Sequence, residues 1–303
     1  MKKAFFLSIF LVFAALFYPI AKMTKRELVK KAKKKSTYKP IDVKEIKEDK
    51  KFAVIIPSYN NEKYVERNLR SVLDQEYQNF QVIYIDDAST DKTYEKACEI
   101  VKAYEMDDKV TIVANAFNKK ALENLYDAIT SLEDDVIAIL LDGDDWFSQN
   151  SVLKELNRYY NDSDVWLTYG QYINYPTYEI GISREPIFKS FMNHGNLRKV
   201  GLFSKENEWF FSHLRTFYAK LFKRIKKEDL LYEGKFFSSA WDLAILFPMC
   251  EMARSHAKFI PNVLYVYNRE TPINDDKIRK DEQAFLNHYI RSRKPYEKLE
   301  KLF

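Results

Sequence analysis

The sequence predicts an α/β protein with a mostly parallel central sheet flanked by helices, and three observations carry that prediction. Between Phe52 and Leu141, apolar runs of strand length alternate with segments of helical period. Three of those runs end in polar clusters: Pro57 to Asn61, Asp86 to Asp91 and Asp142 to Asp145. The last is the sharpest, because Ile137-Ala138-Ile139-Leu140-Leu141 stops in Asp142-Gly143-Asp144-Asp145, which packs three carboxylates into four positions. Clusters that follow parallel strands converge on one edge of the sheet, where open α/β folds bind their ligands. Carboxylates this close repel one another unless something positive holds them, and hard divalent cations with phosphate oxygens are natural partners. An Asp/Gly-rich surface turn is the plainer reading of a lone D-x-D, and the convergence argues against it.

The elements follow in order. Phe52 to Ile56 is a buried strand that meets a turn at Pro57, since proline cannot donate to the ladder. Tyr64, Leu69, Val72 and Leu73 then fall near helical spacing. Phe80 to Ile85 is a second strand, and Ser89 or Thr90 is placed to cap a helix from Lys92 to Tyr104. Val110 to Val113 is a third strand. Lys119 to Leu132 is a helix with Leu122, Leu125, Ile129 and Leu132 on one face, and Val136 to Leu141 is a fourth strand. Past Asn150 the pattern loosens: a helix over Ser151 to Tyr160, a strand around Asp164 to Tyr169, and an aromatic stretch from Tyr172 to Phe211 that reads equally as binding wall or core. Ala240 to Ala253 is a helix, Val263 to Tyr267 a late strand, and Asp281 to Phe303 a charged terminal helix or pair of helices.

Composition bounds the rest. The 303 residues are 46% hydrophobic, with 21 Tyr and 22 Phe, which excludes a disordered chain. Cys98 and Cys250 form neither a CxxC nor a Cys/His pattern, so they read as small core residues and not as a zinc site or disulfide framework. The net charge of +5 comes from Lys and Arg crowded between Lys22 and Lys35, and no basic stripe with interleaved aromatics marks a nucleic-acid binder. That basic run follows Ala4 to Ala21, an apolar segment preceded by Lys2 and Lys3. Its length approaches a bilayer span and also fits a secretory signal, but Pro19-Ile20-Ala21 is a poor cleavage site. Residues 1–21 are therefore expected to be an uncleaved signal-anchor and 22–51 a basic juxtamembrane linker drawn to anionic lipid. The positive excess after the anchor places the main domain in the cytoplasm. A cleaved signal would instead make it secreted or lumenal.

Four motifs, in order and at matching spacing, resemble one family: Val54-Ile55-Ile56-Pro57-Ser58-Tyr59-Asn60, Asn68 to Gln75, Ile85-Asp86-Asp87-Ala88-Ser89-Thr90-Asp91, and Asp142-Gly143-Asp144-Asp145. The chain is similar to the inverting glycosyltransferases of family 2, from about Phe52 to Asn268. The resemblance implies the GT-A fold, with a single Rossmann-like, mostly parallel sheet, over residues 52–270. Residues 52–150 would be the nucleotide-binding half, 151–270 the acceptor half and 271–303 a helical tail. It implies a UDP-sugar donor, a glycan, lipid or protein hydroxyl acceptor, and Mn²⁺ or Mg²⁺.

By that resemblance Pro57 and Tyr59 line the donor's base, and Asp87 hydrogen-bonds its uracil or ribose. Tyr59 offers a stacking face, and a carboxylate accepts from an N–H. Asp142 approaches the ribose or the metal's water shell, Asp144 ligates the metal across the diphosphate, and Asp145 is a second ligand or a sugar contact. Lys120 matches a basic donor contact, although a solvent-facing helix lysine explains it as well. Inversion needs a base opposite the leaving group. The family takes it from a carboxylate at a helix start, which here is Asp242 in Ser239-Ala240-Trp241-Asp242-Leu243. Trp241 departs from the family's Glu-Asp pair, and a literal Glu228-Asp229 lies nearby. The late histidine that ligates metal in some members is missing from Val266-Tyr267-Asn268-Arg269, which leaves the metal to carboxylates, phosphates and water. His213 is the better candidate for a site histidine, although a satisfied structural residue explains it more readily, and Arg215 is a phosphate or acceptor contact. Two other activities compete: a sugar-binding protein without turnover, and a sugar-phosphate nucleotidyltransferase. The second normally has a glycine-rich, basic loop after its first strand, and Pro57 to Asn61 is neither.

Overall fold

In the computed structural model, which describes residues 46–185, 197–199, 211–271 and 280–303, the expected alternation is present. β1 (Phe52–Ser58), α1 (Val65–Leu73), β2 (Phe80–Asp86), α2 (Thr93–Ala103), β3 (Val110–Ala114), α3 (Ala121–Ser131) and β4 (Ile137–Leu140) form the first half. β5 (Trp146–Phe147), α4 (Val152–Tyr160), β6 (Leu167–Tyr175), β7 (Arg215–Tyr218), α5 (Ala219–Phe222), the small hairpin β8 (Leu231–Tyr232) and β9 (Lys235–Phe236), α6 (Trp241–Ala253), β10 (Ala257–Asn268) and α7 (Lys280–Ser292) follow. The main sheet has the order β3-β2-β1-β4-β7-β6-β10-β5. β3, β2, β1 and β4 are parallel, as are β6 and β10, whereas β7 runs against both its neighbours and β5 against β10. The sheet is thus mixed and mostly parallel, and its parallel half brings the ends of β1, β2 and β4 to one edge.

Burial explains which residues form the centre. Phe52 to Ile56 and Ile137 to Ile139 are fully buried, because β1 and β4 carry helices or strands on every side. α6 is buried from Leu243 to Ala253, apolar all round as an interior helix must be. A paired charge sits inside this region: Arg198 donates from Nε and Nη2 to Glu251 at 2.7 and 2.9 Å and from Nη1 to the Ile290 carbonyl at 3.0 Å, which ties α6 to α7.

Four local expectations are corrected. β1 continues through Pro57 to Ser58, in register with Ile85 and Asp86. Pro57 accepts from Gly143 N on the β4 side, where the strand has already ended, so its missing N–H removes no ladder bond. The cap before α2 comes from Asp91, whose carboxylate accepts from Thr93 N at 3.0 Å, while Ser89 Oγ accepts from Asn60 N. β10 starts at Ala257, well before Val263, because Pro261 sits at a shift of register between Ile260 and Val263 that accommodates it. The terminal segment is helical only over Lys280–Ser292.

The amino-terminal edge is anchored earlier than Phe52: Asn161 Oδ1 accepts from Lys47 N at 2.7 Å and Asn157 Oδ1 from Lys50 N at 3.0 Å. The apolar segment 4–21 and the basic run behind it lie outside the described residues, as does much of the aromatic stretch. Among the described residues no helix is long and apolar enough to cross a membrane.

Candidate active site

The acidic turn after β4 is held from three directions. Asn68, fully buried on α1, donates from Nδ2 to the carbonyls of Asp142 at 2.9 Å and Asp145 at 2.8 Å. Tyr265 on β10 donates from its hydroxyl to Asp145 Oδ2 at 2.5 Å, and Asn268 N donates to Asp145 Oδ1 at 2.7 Å. Gly143 lies so close to β1 that a Cβ there would sit 2.5 Å from Ser58 Oγ. The glycine is required by this approach, and Ser58 is itself fixed by Tyr84, which donates to it at 2.9 Å.

The turn after β2 is organised differently. Asp87 is buried, and its carboxylate accepts from Asn115 Nδ2 at 2.8 Å, Lys119 N at 2.8 Å and Lys120 N at 2.9 Å. These bonds hold Lys120 at φ 72° and ψ 164°, a backbone region that is nearly glycine-only, at the start of α3. Asn60, Ala88 and Ala240 also have positive φ, and each lies at or beside a polar cluster that follows a strand or opens α6. Neither Asp87 nor Lys120 lines the cavity onto which the acidic turn opens.

That cavity, about 290 Å³, brings together Pro57 and Tyr59 from the end of β1, Asp142 and Asp144 from the acidic turn, and Arg215 with Trp241 and Asp242 at the start of α6. His213, Tyr267 and Gln283 complete the wall. Tyr59 is 37% exposed, which leaves its ring accessible. Asp229, the alternative carboxylate, is elsewhere, bonded to Arg293 and to the Tyr296 hydroxyl.

Charge in the site is strongly perturbed. Desolvation, with Asp144 and Asp242 pushing the same way and Arg215 opposing, raises the carboxyl of Asp142 to about 6. Burial, then Asp144 and Asp142, holds Asp145 well above the usual carboxylate range. His213 stacks on Tyr265 at 4.4 Å and on Tyr267 at 5.2 Å, and burial beside Arg215 keeps its imidazole neutral. Donor atoms of Asp142, Asp145 and His213 lie within 4.8 Å of one another. Two carboxylates that resist ionisation together, plus a neutral imidazole, form a set suited to a hard or borderline divalent cation such as Mn²⁺. Asp144 stands in the cavity wall next to this set.

Asn68, Tyr265, Asn268 and Gln283 were not legible as site residues in the sequence. The partners of the first three lie far along the chain, and nothing local marks a helix asparagine or a strand tyrosine as a clamp. Asn68 does stand inside the Asn68 to Gln75 motif, the one sequence signal for it.

The acidic turn after β4 and the helix-start Asp242 thus share one cavity at the edge where the parallel strands end. The profile of Glycosyl transferase family 2 matches residues 53–226, more than half the chain, and the chain belongs to that family of enzymes. The glycosyltransferase GlyG of Streptococcus pneumoniae is 26% identical over 221 residues, 72% of this chain and 71% of GlyG. Among solved structures, the mannosyltransferase PcManGT of Pyrobaculum calidifontis, in complex with GDP-Man and Mn²⁺, shares the fold at a TM-score of 0.54 and 19% identity, covering 94% of this chain and 76% of that one. TarS 1–349 of S. aureus in complex with UDP aligns at a TM-score of 0.50 and 19% identity, covering 73% of this chain and 61% of that one. This chain thus spans less than two thirds of TarS 1–349.

Proposed function

We propose that the enzyme transfers a sugar from a UDP-activated donor to a hydroxyl acceptor with inversion, in a single displacement. The observation that carries this reading is the meeting of Tyr59, Asp142, Asp144 and Asp242 in one cavity. In it, the base of the nucleotide stacks on Tyr59 beside Pro57. Asp142, Asp145 and His213, with Asp144 from the cavity wall, would hold Mn²⁺ or Mg²⁺, which would neutralise charge on the leaving diphosphate. The acceptor oxygen bonds to the anomeric carbon as the bond to the diphosphate breaks, and Asp242 takes the hydroxyl proton. Asp87 acts through the loop whose amides it holds, and Lys120, on that loop and outside the cavity, is a donor contact by the family resemblance alone. UDP is the nucleotide bound in the TarS structure, which supports the donor class, and GDP is the contrast offered by PcManGT. The anchor at 1–21, the linker and a cytoplasmic, membrane-associated catalytic domain belong to the same proposal, supported by the apolar and basic runs of the sequence.

The test measures UDP and GDP binding with Mn²⁺, and nucleotide release from a panel of UDP- and GDP-sugars, for wild type and Asp242→Asn. UDP binding in both proteins, with turnover reduced by about 10²–10⁴-fold in the variant, is expected. Preference for GDP would overturn the donor assignment. Equal turnover in both proteins would remove Asp242 as base.

A further inference from the structure

We infer that the acceptor hydroxyl is carried on a sugar ring, which binds against Trp241 and Gln283 beside Asp242; this rests on the transfer reading above. Three observations converge. Trp241 is half-buried, lines the cavity and immediately precedes the proposed base. Its ring is steadied by the Arg215 guanidinium, 5.6 Å from the ring centroid. Gln283 reaches the same cavity from α7, an element otherwise remote in the chain, and the start of α7 is joined to the segment before α6 by Ser238 donating to Glu282.

The chemistry of these two side chains fits a saccharide better than the other acceptor classes. A pyranose has a face of polarised C–H groups, which meets the negative face of an indole favourably, and a rim of hydroxyls. A carboxamide both donates and accepts, so one Gln can hold two adjacent hydroxyls in opposite roles. A single-chain lipid or a polyol phosphate offers no such flat face, and a serine peptide has no rim of hydroxyls. The place in the chain also matters. Both residues lie beyond the family match at 53–226, and Trp241 stands where the family resemblance calls for an acidic residue. Trp241 thus departs from the family's acidic pair directly beside Asp242, which keeps to it, and that departure changes the surface an acceptor meets next to the proposed base.

The experiment uses p-nitrophenyl glycosides of glucose, galactose and N-acetylglucosamine as probes, with glycerol phosphate and a Ser/Thr hexapeptide as the contrasting acceptors. Saturation-transfer NMR reads glycoside binding directly, with and without UDP and Mn²⁺, and nucleotide release gives separate KM values for acceptor and donor. Wild type should saturate the glycoside ring protons and release UDP faster when glycoside is added. Trp241→Ala and Gln283→Ala should each raise the acceptor KM about tenfold while the donor KM stays within about twofold, and Trp241→Phe should keep most of the affinity. The inference is overturned if no glycoside binds, if only glycerol phosphate or the peptide accelerates release, or if the alanine variants raise both KM values together. Absence of UDP binding by wild type would strike the donor reading instead. The nucleotide-free NMR signal still decides the subsite in that case.

Discussion

Arg215 Nη2 donates to Asp242 Oδ2 at 3.1 Å, and both side chains line the cavity that also contains Asp142 and Asp144. The guanidinium side chain is only 6% exposed against 21% for the aspartate, so the pair is largely shielded from solvent. Arg215 also donates from Nε to the Phe211 carbonyl at 3.5 Å and draws down the carboxyl of Asp142. One side chain therefore positions the proposed base and moderates the acidic turn. Arg215→Ala is expected to destabilise the fold by about 1.5–3 kcal/mol, the range for a hydrogen bond to a charged group, and to slow nucleotide release about 10²-fold. Arg215→Lys keeps the charge but not the planar fork, and should recover stability more than rate. Thermal unfolding and steady-state rates on the three proteins check this. A variant with unchanged turnover would show that the pair is only structural.

Asn68 makes the acidic turn depend on α1. Its amide satisfies two carbonyls of the turn at 2.9 and 2.8 Å, and a carboxylate in its place would face both with a charge of the wrong sign. Asn68→Asp is expected to cost about 1–3 kcal/mol and to weaken Mn²⁺ binding by about 10–100-fold, as loss of a ligand's supporting contact does elsewhere. Chemical denaturation and Mn²⁺ titration by calorimetry measure the two effects separately. Full metal affinity in a folded Asn68→Asp protein would dismiss the clamp.

How much of this was legible in the sequence follows from the range of each interaction. β1, β2, β3 and β4 and the helices between them were readable because period and apolar runs are local. The same locality failed at Pro57 and Pro261. A proline's effect on a strand depends on which neighbour its missing N–H would have met, and that is a property of the assembled sheet. The cap before α2 went to Asp91 because Ser89 and Thr90 are engaged by Asn60, a residue on a different loop. Asp242 entered through family resemblance and not through any local signature of a base. Tyr265 and Gln283 had no signature at all, since their place in the site exists only once β10 and α7 have docked.

Gly143 is the tightest point of the turn. A methyl group there would lie 2.5 Å from Ser58 Oγ and 2.7 Å from Ser58 Cβ, and Ser58 cannot yield easily because Tyr84 and Asn61 both donate to it. Gly143→Ala is expected to destabilise by about 1–3 kcal/mol, in the range of other overpacked interiors. Adding Ser58→Gly removes two of the three clashing atoms, leaving Asn61 Nδ2 at 2.8 Å, and should return part of that loss in the double variant. Unfolding midpoints for the two single variants and the double variant form a cycle. Strict additivity would mean that the two sites are not in conflict.

Asp142 ties stability and metal binding to pH. Its carboxyl, raised from 3.8 to about 6 mainly by desolvation, binds a proton more tightly in the folded chain than in the unfolded one. A raised carboxyl contributes stability that is complete below the unfolded value and is lost as pH rises through the folded one. The metal-free protein should therefore be less stable at pH 7.5 than at pH 5 by this group's contribution, and Asp145, shifted in the same direction, adds to it. Asp142→Asn should flatten that slope between pH 4 and pH 6. Metal binding runs the opposite way, because the cation must displace the proton: below about pH 6 the Mn²⁺ affinity is expected to fall about tenfold per pH unit for each proton released. His213 contributes no such proton, since its imidazole is already neutral. Denaturation of the metal-free protein and Mn²⁺ titrations at the same series of pH values supply both curves. An Mn²⁺ affinity independent of pH from 5 to 7 would mean that the metal displaces no proton from Asp142, and would take that residue out of the ligand set.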